Sequence, residues 1–197
     1  MNKVTLYFIG ATFVVLLFIF IVGCSKEVSK TEEKSNLLNY EFDISDFNNI
    51  NKILSEQKFA YSSDSDKKYI AVINYQSNKA SVKQYLIDKD TTLDITILND
   101  SKIIISLPEN KTDDYVWDVK SNTNNAAIKF GSIVPISIPV PNSEKKISYT
   151  RKNFFFETEG VGNEQIVMRY AQLPDKKPPY DVQRNEILKV SFNINIE

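Results

Sequence analysis

Apolar and polar positions alternate along most of the chain after residue 68. A period of two predicts strands with one buried face and one solvated face. The last such segment is the clearest, because Leu188, Val190, Phe192, Ile194 and Ile196 alternate with polar residues. Seven other segments show the same pattern: 69–75, 82–87, 93–97, 103–107, 115–119, 154–156 and 166–170. Many short alternating strands separated by turn residues are typical of an all-β sandwich or barrel.

Proline residues interrupt this pattern in two places. Pro135, Pro139 and Pro141 lack the backbone N–H that a central strand donates to its neighbour. The segment 133–141 is therefore predicted to be an edge strand or a crossing loop. The segment 173–180 contains three further prolines and is predicted to be irregular.

One helix is predicted before the strands. Phe47, Ile50, Ile53 and Leu54 have the spacing that places them on one face of a helix over residues 46–57. We expect residues 40–88 to form an extension with this helix and one or two strands, either packed on the sandwich or folded as a small lobe. Phe155 lies on the strand face opposite its two neighbours, and we expect the helix or a partner to cover that face.

The N-terminus has the features of an export and anchoring signal. Lys3 precedes an apolar run over residues 4–22, and about 20 apolar residues are needed to span a bilayer as a helix. Residues 21–24, Ile-Val-Gly-Cys, resemble the bacterial lipobox, in which leucine is preferred where this chain has isoleucine. The resemblance implies that residues 1–23 are a lipoprotein signal peptide and that Cys24 becomes the lipidated first residue. An uncleaved transmembrane helix is the alternative, and both readings place the rest of the chain outside the cytoplasm. Residues 24–39 are polar and charged without a period, so we predict a flexible tether.

Composition narrows the classes of function. The chain of 197 residues has no histidine, one cysteine and a net charge of −1. These values argue against Ser-His or Cys-His catalysis, an intrachain disulfide and binding to a phosphate backbone. We therefore expect no enzymatic activity, cofactor, bound metal, nucleic acid or small-molecule substrate. The remaining enzyme hypothesis is a carboxylate pair of Glu157 and Glu159, which are expected to face solvent.

The segment 107–117 carries the most informative motif. A strand ends, a polar loop follows, and Tyr115 and Trp117 begin the next strand. This order resembles the first binding loop of the chagasin-type cysteine-protease inhibitors, which reads Asn-Pro-Thr-Thr-Gly, an aromatic residue, one residue and Trp. Asn110, Thr112, Tyr115 and Trp117 match that loop, whereas Lys111, Asp113 and Asp114 replace Pro, Thr and Gly. Trp117 is expected in the core, since it lies on an alternating strand.

The resemblance covers residues 89–197 and implies an immunoglobulin-like β-sandwich of the chagasin type. It also implies a steric function, in which three loops at one end fill the cleft of a papain-like cysteine protease. The family's second motif, Gly-x-Gly-Gly, falls on residues 147–150, and its third, Arg-Pro-Trp, falls on residues 172–174; this chain lacks the glycines, the arginine and the tryptophan. The implied protease-binding residues are Asn110, Lys111, Thr112, Asp113, Asp114, Tyr149, Thr150, Arg151, Gln172, Leu173 and Pro174.

Two functions follow from these patterns. The first is a bacterial surface lipoprotein that inhibits papain-like proteases. The second is a non-inhibitory binding or structural lipoprotein that reuses the sandwich, and the two missing motifs favour it because a fold alone does not define a function.

The lipobox assignment leads to a direct prediction. Replacing Cys24 with serine should abolish incorporation of labelled fatty acid in a bacterial host, because the serine hydroxyl does not replace the thiol as the lipid acceptor. The parent chain should carry the labelled fatty acid. Absence of label on the parent chain, with retention in the membrane fraction, would instead indicate an uncleaved helix.

Overall fold

The structure, a computed structural model, describes residues 39–44, 49–64, 66–109, 114–122, 127–140, 148–173 and 185–197. The signal peptide, Cys24 and nearly all of the tether predicted from the sequence lie outside these ranges. Residues Asn36–Glu197 form one compact unit. Within the described ranges, no helix combines the length and the apolar character that a membrane crossing requires.

The described residues form ten strands and one short helix. In chain order they are β1 Tyr40–Asp43, α1 Ile50–Ser55, β2 Lys68–Gln76, β3 Lys79–Ile87, β4 Thr91–Ile97, β5 Lys102–Glu109, β6 Tyr115–Asn122, β7 Ile128–Pro139, β8 Ser148–Thr158, β9 Gly162–Gln172 and β10 Glu186–Ile196. Each of the eight alternating segments corresponds to one strand. The helix occupies only the second half of its predicted range, because residues 45–48 lie outside the described part.

The strands form two sheets. The six-stranded sheet has the order β1-β3-β2-β5-β8-β7, and the four-stranded sheet has the order β4-β10-β9-β6. All neighbours are antiparallel except β4 and β10, which pair in parallel with Thr91 opposite Val190. The proline-containing strand β7 lies at an edge, as predicted, where its missing N–H groups interrupt no central ladder.

The N-terminal extension is part of the sandwich. Strand β2 pairs with β5, with Ala71 opposite Ser106, and β3 and β1 continue the same sheet. The extension therefore contributes three strands, where one or two were predicted, and it packs on the sandwich as part of the same compact unit. The expected boundary at residue 88 does not divide the structure, because the six-stranded sheet contains strands from both sides of it.

The main core lies between the two sheets. Alternating side chains of both sheets face each other there, including a nearly fully buried tryptophan, as two-sheet packing requires. The buried members are Ile70, Val72, Ile87, Ile97, Ile103, Ile105, Leu107, Trp117, Ala127, Ile128, Phe154, Phe156, Ile166, Met168, Tyr170, Leu188, Val190, Phe192, Ile194 and Ile196.

A second core lies on the other face of the six-stranded sheet. Helix α1 and the chain on either side of it cover this face, so that Phe155 is buried against the extension. Its buried members are Ile44, Ile50, Leu54, Phe59, Ala71, Ile73, Ala80, Val82, Ile104, Ile136, Ile138 and Phe155. The central strands of the sheet are thus buried on both faces, which accounts for the continuous apolar runs 103–105 and 154–156.

The second core predicts that the extension and the sandwich unfold together. Replacing Leu54 with alanine should lower the free energy of unfolding by about 3 kcal/mol, because it removes a fully buried side chain from α1. Chemical denaturation followed by tryptophan fluorescence and circular dichroism should still show one transition. The exposed Lys52→Ala substitution in the same helix is the control. Two separate transitions would contradict the shared core.

Candidate functional site

Three connections meet at one end of the sandwich, which we name the loop-bearing end. They are the β5–β6 connection at residues 110–114, the β7–β8 connection at 140–147 and the β9–β10 connection at 173–185. Three registers place them together: Glu109 pairs with Thr150, Pro139 with Ser148, and Tyr115 with Gln172. The β5–β6 connection crosses from one sheet to the other, so its two ends lie beside the other two connections.

Hydrogen bonds join the bases of the first and third connections. The backbone N–H of Leu173 donates to the carbonyl oxygen of Asp114 at 2.7 Å. The N–H of Gln172 donates to the carbonyl oxygen of Asn185 at 2.9 Å, and the Asn185 side-chain amide donates to the Tyr115 hydroxyl at 3.1 Å. These bonds fix the position at which both connections leave the four-stranded sheet.

A half-buried ion pair closes the space between the sheets beneath the connections. Lys152 Nζ lies 3.1 Å from Glu109 Oε1 and donates to the carbonyl oxygen of Trp117 at 3.2 Å. The Trp117 indole N–H donates to the carbonyl oxygen of Pro108 at 2.9 Å. Trp117 is buried, which confirms its assignment to the core. The β5 and β6 ends of the first connection are therefore held by side chains from both sheets.

The predicted binding residues of the first and third connections lie at this end to the extent that they are described. Asp114 is exposed at the start of β6, and Gln172 and Leu173 are exposed at the end of β9. Asn110, Lys111, Thr112, Asp113 and Pro174 lie outside the described residues. The structure thus describes the bases of these two connections, whereas residues 110–113 and 174–184 lie outside the described part.

Residues 149–151, which were predicted to belong to the second binding loop, lie in a strand. Tyr149, Thr150 and Arg151 belong to strand β8, which pairs with β5 on one side and β7 on the other. Thr150 is buried and Arg151 is completely buried, so their side chains offer no surface to a partner. The physical reason is that two neighbouring ladders extend β8 back to Ser148, and the connection to β7 consequently lies at residues 140–147.

The buried arginine was not anticipated from the sequence. Arg151 Nε donates to Ser106 Oγ at 2.9 Å, and Nη2 donates to the carbonyl oxygens of Ser106 at 2.7 Å and Tyr69 at 3.0 Å. Its guanidinium carbon lies 4.5 Å from the centre of the Phe59 ring, a cation–π contact. Among the described residues, no carboxylate forms an ion pair with it. Carbonyl dipoles and aromatic rings therefore solvate this cation in place of water.

Two tyrosines lie near Arg151 in the same environment. Burial raises the pKa of Tyr40 to about 12, although the nearby Arg151 charge and a backbone hydrogen bond with Lys58 act in the opposite direction. Burial likewise raises the pKa of Tyr149 and lowers the pKa of Arg151. Both phenols therefore remain neutral at physiological pH. They are uncharged, partly buried neighbours of Arg151.

The two glutamates of the enzyme hypothesis belong to surface ion pairs. Glu157 Oε1 lies 3.0 Å from Lys102 Nζ, and Glu159 Oε1 lies 3.6 Å from Lys129 Nζ. All four side chains are exposed. In the described part of the chain, no group of three or more histidine, cysteine, aspartate or glutamate residues is arranged to hold a metal ion. The arrangement of these glutamates is that of ordinary surface charges.

A shallow depression of about 380 Å³ lies elsewhere, on the outer face of the four-stranded sheet. Its side chains bond to one another: Gln165 Nε2 donates to Asn193 Oδ1 at 2.9 Å, and Asn193 Nδ2 donates to Asp94 Oδ1 at 2.9 Å. These hydrogen bonds occupy polar groups of Gln165, Asn193 and Asp94 that would otherwise be available to a ligand. The loop-bearing end is therefore the stronger candidate site.

The raised tyrosine pKa values predict a loss of stability in alkali. Between about pH 10 and pH 12 the unfolded chain loses phenol protons that the folded chain retains, so the folded state binds more protons and stability falls as pH rises. Chemical denaturation at several pH values in this range should show the decline. The Tyr40→Phe variant should show a smaller decline, because phenylalanine does not titrate. An identical pH dependence in this variant and the parent chain would contradict the assignment.

Comparisons with known proteins return solved structures of low sequence identity. No known protein-family model and no curated protein matches the chain. The cysteine protease inhibitor EhICP2 from Entamoeba histolytica is 17% identical over 56% of this chain and 89% of its own, with a TM-score of 0.40. Amebosin is 18% identical over 55% of this chain and 98% of its own, with a TM-score of 0.34. PbICP-C, solved in complex with falcipain-2, is 11% identical over 55% of this chain and 91% of its own, with a TM-score of 0.36. The all-β two-sheet sandwich is shown by the strand order of the chain itself.

Proposed function

We propose that this protein is a membrane-anchored inhibitor of papain-like cysteine proteases. The observation that carries the proposal is the convergence of three connections on the loop-bearing end, one of which holds the motif Asn110 to Trp117. The ends of the β5–β6 connection are joined to the bases of both others, by the Glu109–Thr150 pairing in one sheet and the Leu173–Asp114 hydrogen bond in the other. An insertion loop flanked by two supporting loops is the arrangement that a steric inhibitor needs.

The proposed mechanism requires only that the loop be positioned in the protease cleft, and the inhibitor makes or breaks no covalent bond. Residues 110–113 would enter the protease cleft and exclude substrate from the catalytic cysteine, while residues of the other two connections contact the rims. A loop whose base is already fixed loses little conformational freedom on binding, so more of the contact energy is retained as affinity. The buried Trp117 and the Glu109–Lys152 pair provide this fixed base.

The third connection supplies apolar surface next to the first. Leu173 at the end of β9 is 49% exposed, and Ile187 near the start of β10 is 54% exposed. Glu186 pairs with Ala171, which places the two exposed side chains on the paired ends of neighbouring strands. Apolar side chains at the centre of an interface contribute most when they become fully desolvated. In the proposed complex these two residues contact the wall of the cleft.

The proposal includes a location. Lipid on Cys24 would hold the protein at a membrane, facing outside the cytoplasm, and residues 24–39 would separate the sandwich from the surface. The support for this part is the lipobox-like sequence and the polar composition of the tether. An inhibitor in this position would act on proteases that approach the cell surface.

A second candidate function is a non-inhibitory binding or structural lipoprotein. It is favoured by the position of the second motif, residues 147–150, which falls largely within strand β8, where Thr150 and the following residue Arg151 are buried. In this case the loop-bearing end would contact a different partner, and residues 110–113 would have no effect on any cysteine protease.

An inhibition assay distinguishes the two candidates. The full chain in mild detergent should inhibit at least one papain-like protease with a submicromolar inhibition constant. Asp113→Arg should raise that constant at least about tenfold, equivalent to about 1.4 kcal/mol, because a larger side chain of opposite charge would enter the cleft.

The matched control is Glu159→Arg, the same charge reversal in the β8–β9 turn at the opposite end, which should leave the inhibition constant within about twofold of the parent value. Absence of inhibition by the parent chain at micromolar concentration would reject the inhibitor proposal. Equal effects of the two variants would reject the assignment of the loop.

A further inference from the structure

The segment that precedes β2 brings an additional aromatic side chain towards the loop-bearing end. The N–H of Ala60 donates to Gln84 Oε1 at 2.8 Å, and Gln84 Nε2 donates to the carbonyl oxygen of Lys58 at 3.3 Å. Gln84 is buried in strand β3. A buried amide that accepts from Ala60 and donates to Lys58 fixes the path of this segment against β3.

The neighbouring phenylalanine strengthens this attachment. Phe59 is buried in the second core, and its ring lies against the guanidinium of Arg151. Arg151 is in turn bonded to Ser106 in β5 and to the backbone of Tyr69 in β2. The segment therefore contacts β3 through Gln84 and β8 through Arg151, and Arg151 is itself bonded to β2 and β5.

Tyr61 is the exposed member of this segment. Its side chain is 39% exposed, and its ring centre lies 4.9 Å from that of Tyr149 with the planes tilted by 43°. Tyr149 is the second residue of β8, immediately after the β7–β8 connection. Contact with Tyr149 places the Tyr61 ring beside that connection, on the outer face of the six-stranded sheet.

We propose that Tyr61 is a specificity-determining contact for the protease, supplied by the N-terminal extension as a fourth element of the inhibitory surface. This inference rests on the proposed inhibitory function. The ring is held in place before binding, so it offers a large amphipathic contact at a small cost in conformational entropy. Tyrosine is also among the residues that most often dominate interface energies.

The position of Tyr61 determines what it recognises. Since it lies on the outer face of one sheet, it contacts the protease surface next to the cleft and not the catalytic cysteine. The surface next to the cleft can vary among papain-like proteases without loss of activity, whereas the catalytic centre cannot. Tyr61 therefore affects which protease is bound tightly, whereas residues 110–113 block the cleft itself. Its partner on the protease is an apolar patch.

The test uses the full chain in mild detergent and a panel of several papain-like proteases. Tyr61→Ala should raise the inhibition constant by roughly 5- to 30-fold for some members and much less for others, so that the order of preference changes. Inhibition should remain complete at saturating concentrations, because the cleft is still filled. Tyr61→Phe should retain most of the affinity, and Leu98→Ala, an exposed apolar residue at the opposite end, should have no effect.

Each outcome has a defined meaning. A panel in which Tyr61→Ala and the parent chain give equal inhibition constants would overturn the role of Tyr61 while leaving the inhibitory function intact. A uniform loss across the panel with a lowered unfolding temperature would assign Tyr61 to the support of Tyr149 and also overturn it. If the parent chain inhibits no member of the panel, the proposed function and this inference both fail.

Discussion

The pairing of β5 with β8 is the contact on which the rest of the structure depends. Ile103 and Ile105 face the four-stranded sheet together with Phe154 and Phe156, whereas Ile104 and its partner Phe155 face the extension. Both cores therefore depend on one register. A shift of one residue in either strand would exchange the two faces and place every one of its side chains in the wrong core. The same pairing ends at the bases of two connections, so the geometry of the loop-bearing end follows from it.

Arg151 shows what burial on both faces demands of polar residues. In a sheet with one solvated face, its position would point to water. Here the extension covers that face, and the charge is accommodated by the Ser106 hydroxyl, two carbonyl oxygens and the Phe59 ring. Removal of any of these partners would leave part of a buried charge without compensation, which is costly. The arginine therefore binds β2, β5 and β8 to the segment that carries Tyr61.

The sequence predicted the elements better than their arrangement. Alternation identified the strands that carry one apolar face, and the prolines of β7 correctly indicated an edge. The continuous runs 103–105 and 154–156 carry the signal for a second core, and the position of Phe155 predicts a covered face. The sequence alone does not predict whether the extension joins the sheet, because no local pattern reports which strand pairs with β2. That choice depends on contacts between residues far apart in the chain.

The candidate site was predictable where a motif marked a strand end and not elsewhere. Tyr115 and Trp117 locate the start of β6 by their alternation, and β6 begins at Tyr115. The prediction of a loop at Tyr149, Thr150 and Arg151 rests on the family resemblance alone, because no glycine or proline among them marks a turn. The two ladders that make them a strand come from β5 and β7, and a single sequence does not show how far such ladders extend. No sequence pattern marks Tyr61 or Gln84, because the contacts of both residues arise only when distant parts of the chain pack together.

The parallel pairing of β4 with β10 has a consequence for how the protein folds. Among the described strands, β4 is hydrogen-bonded to β10 alone. Asp94 and Asn193, bonded across these strands, are separated by 99 residues. Bringing residues this far apart together costs conformational entropy before their contacts form, and one layer of the main core has no partner until then. The four-stranded sheet is therefore expected to form late in folding, because pairings between distant residues slow the folding rate.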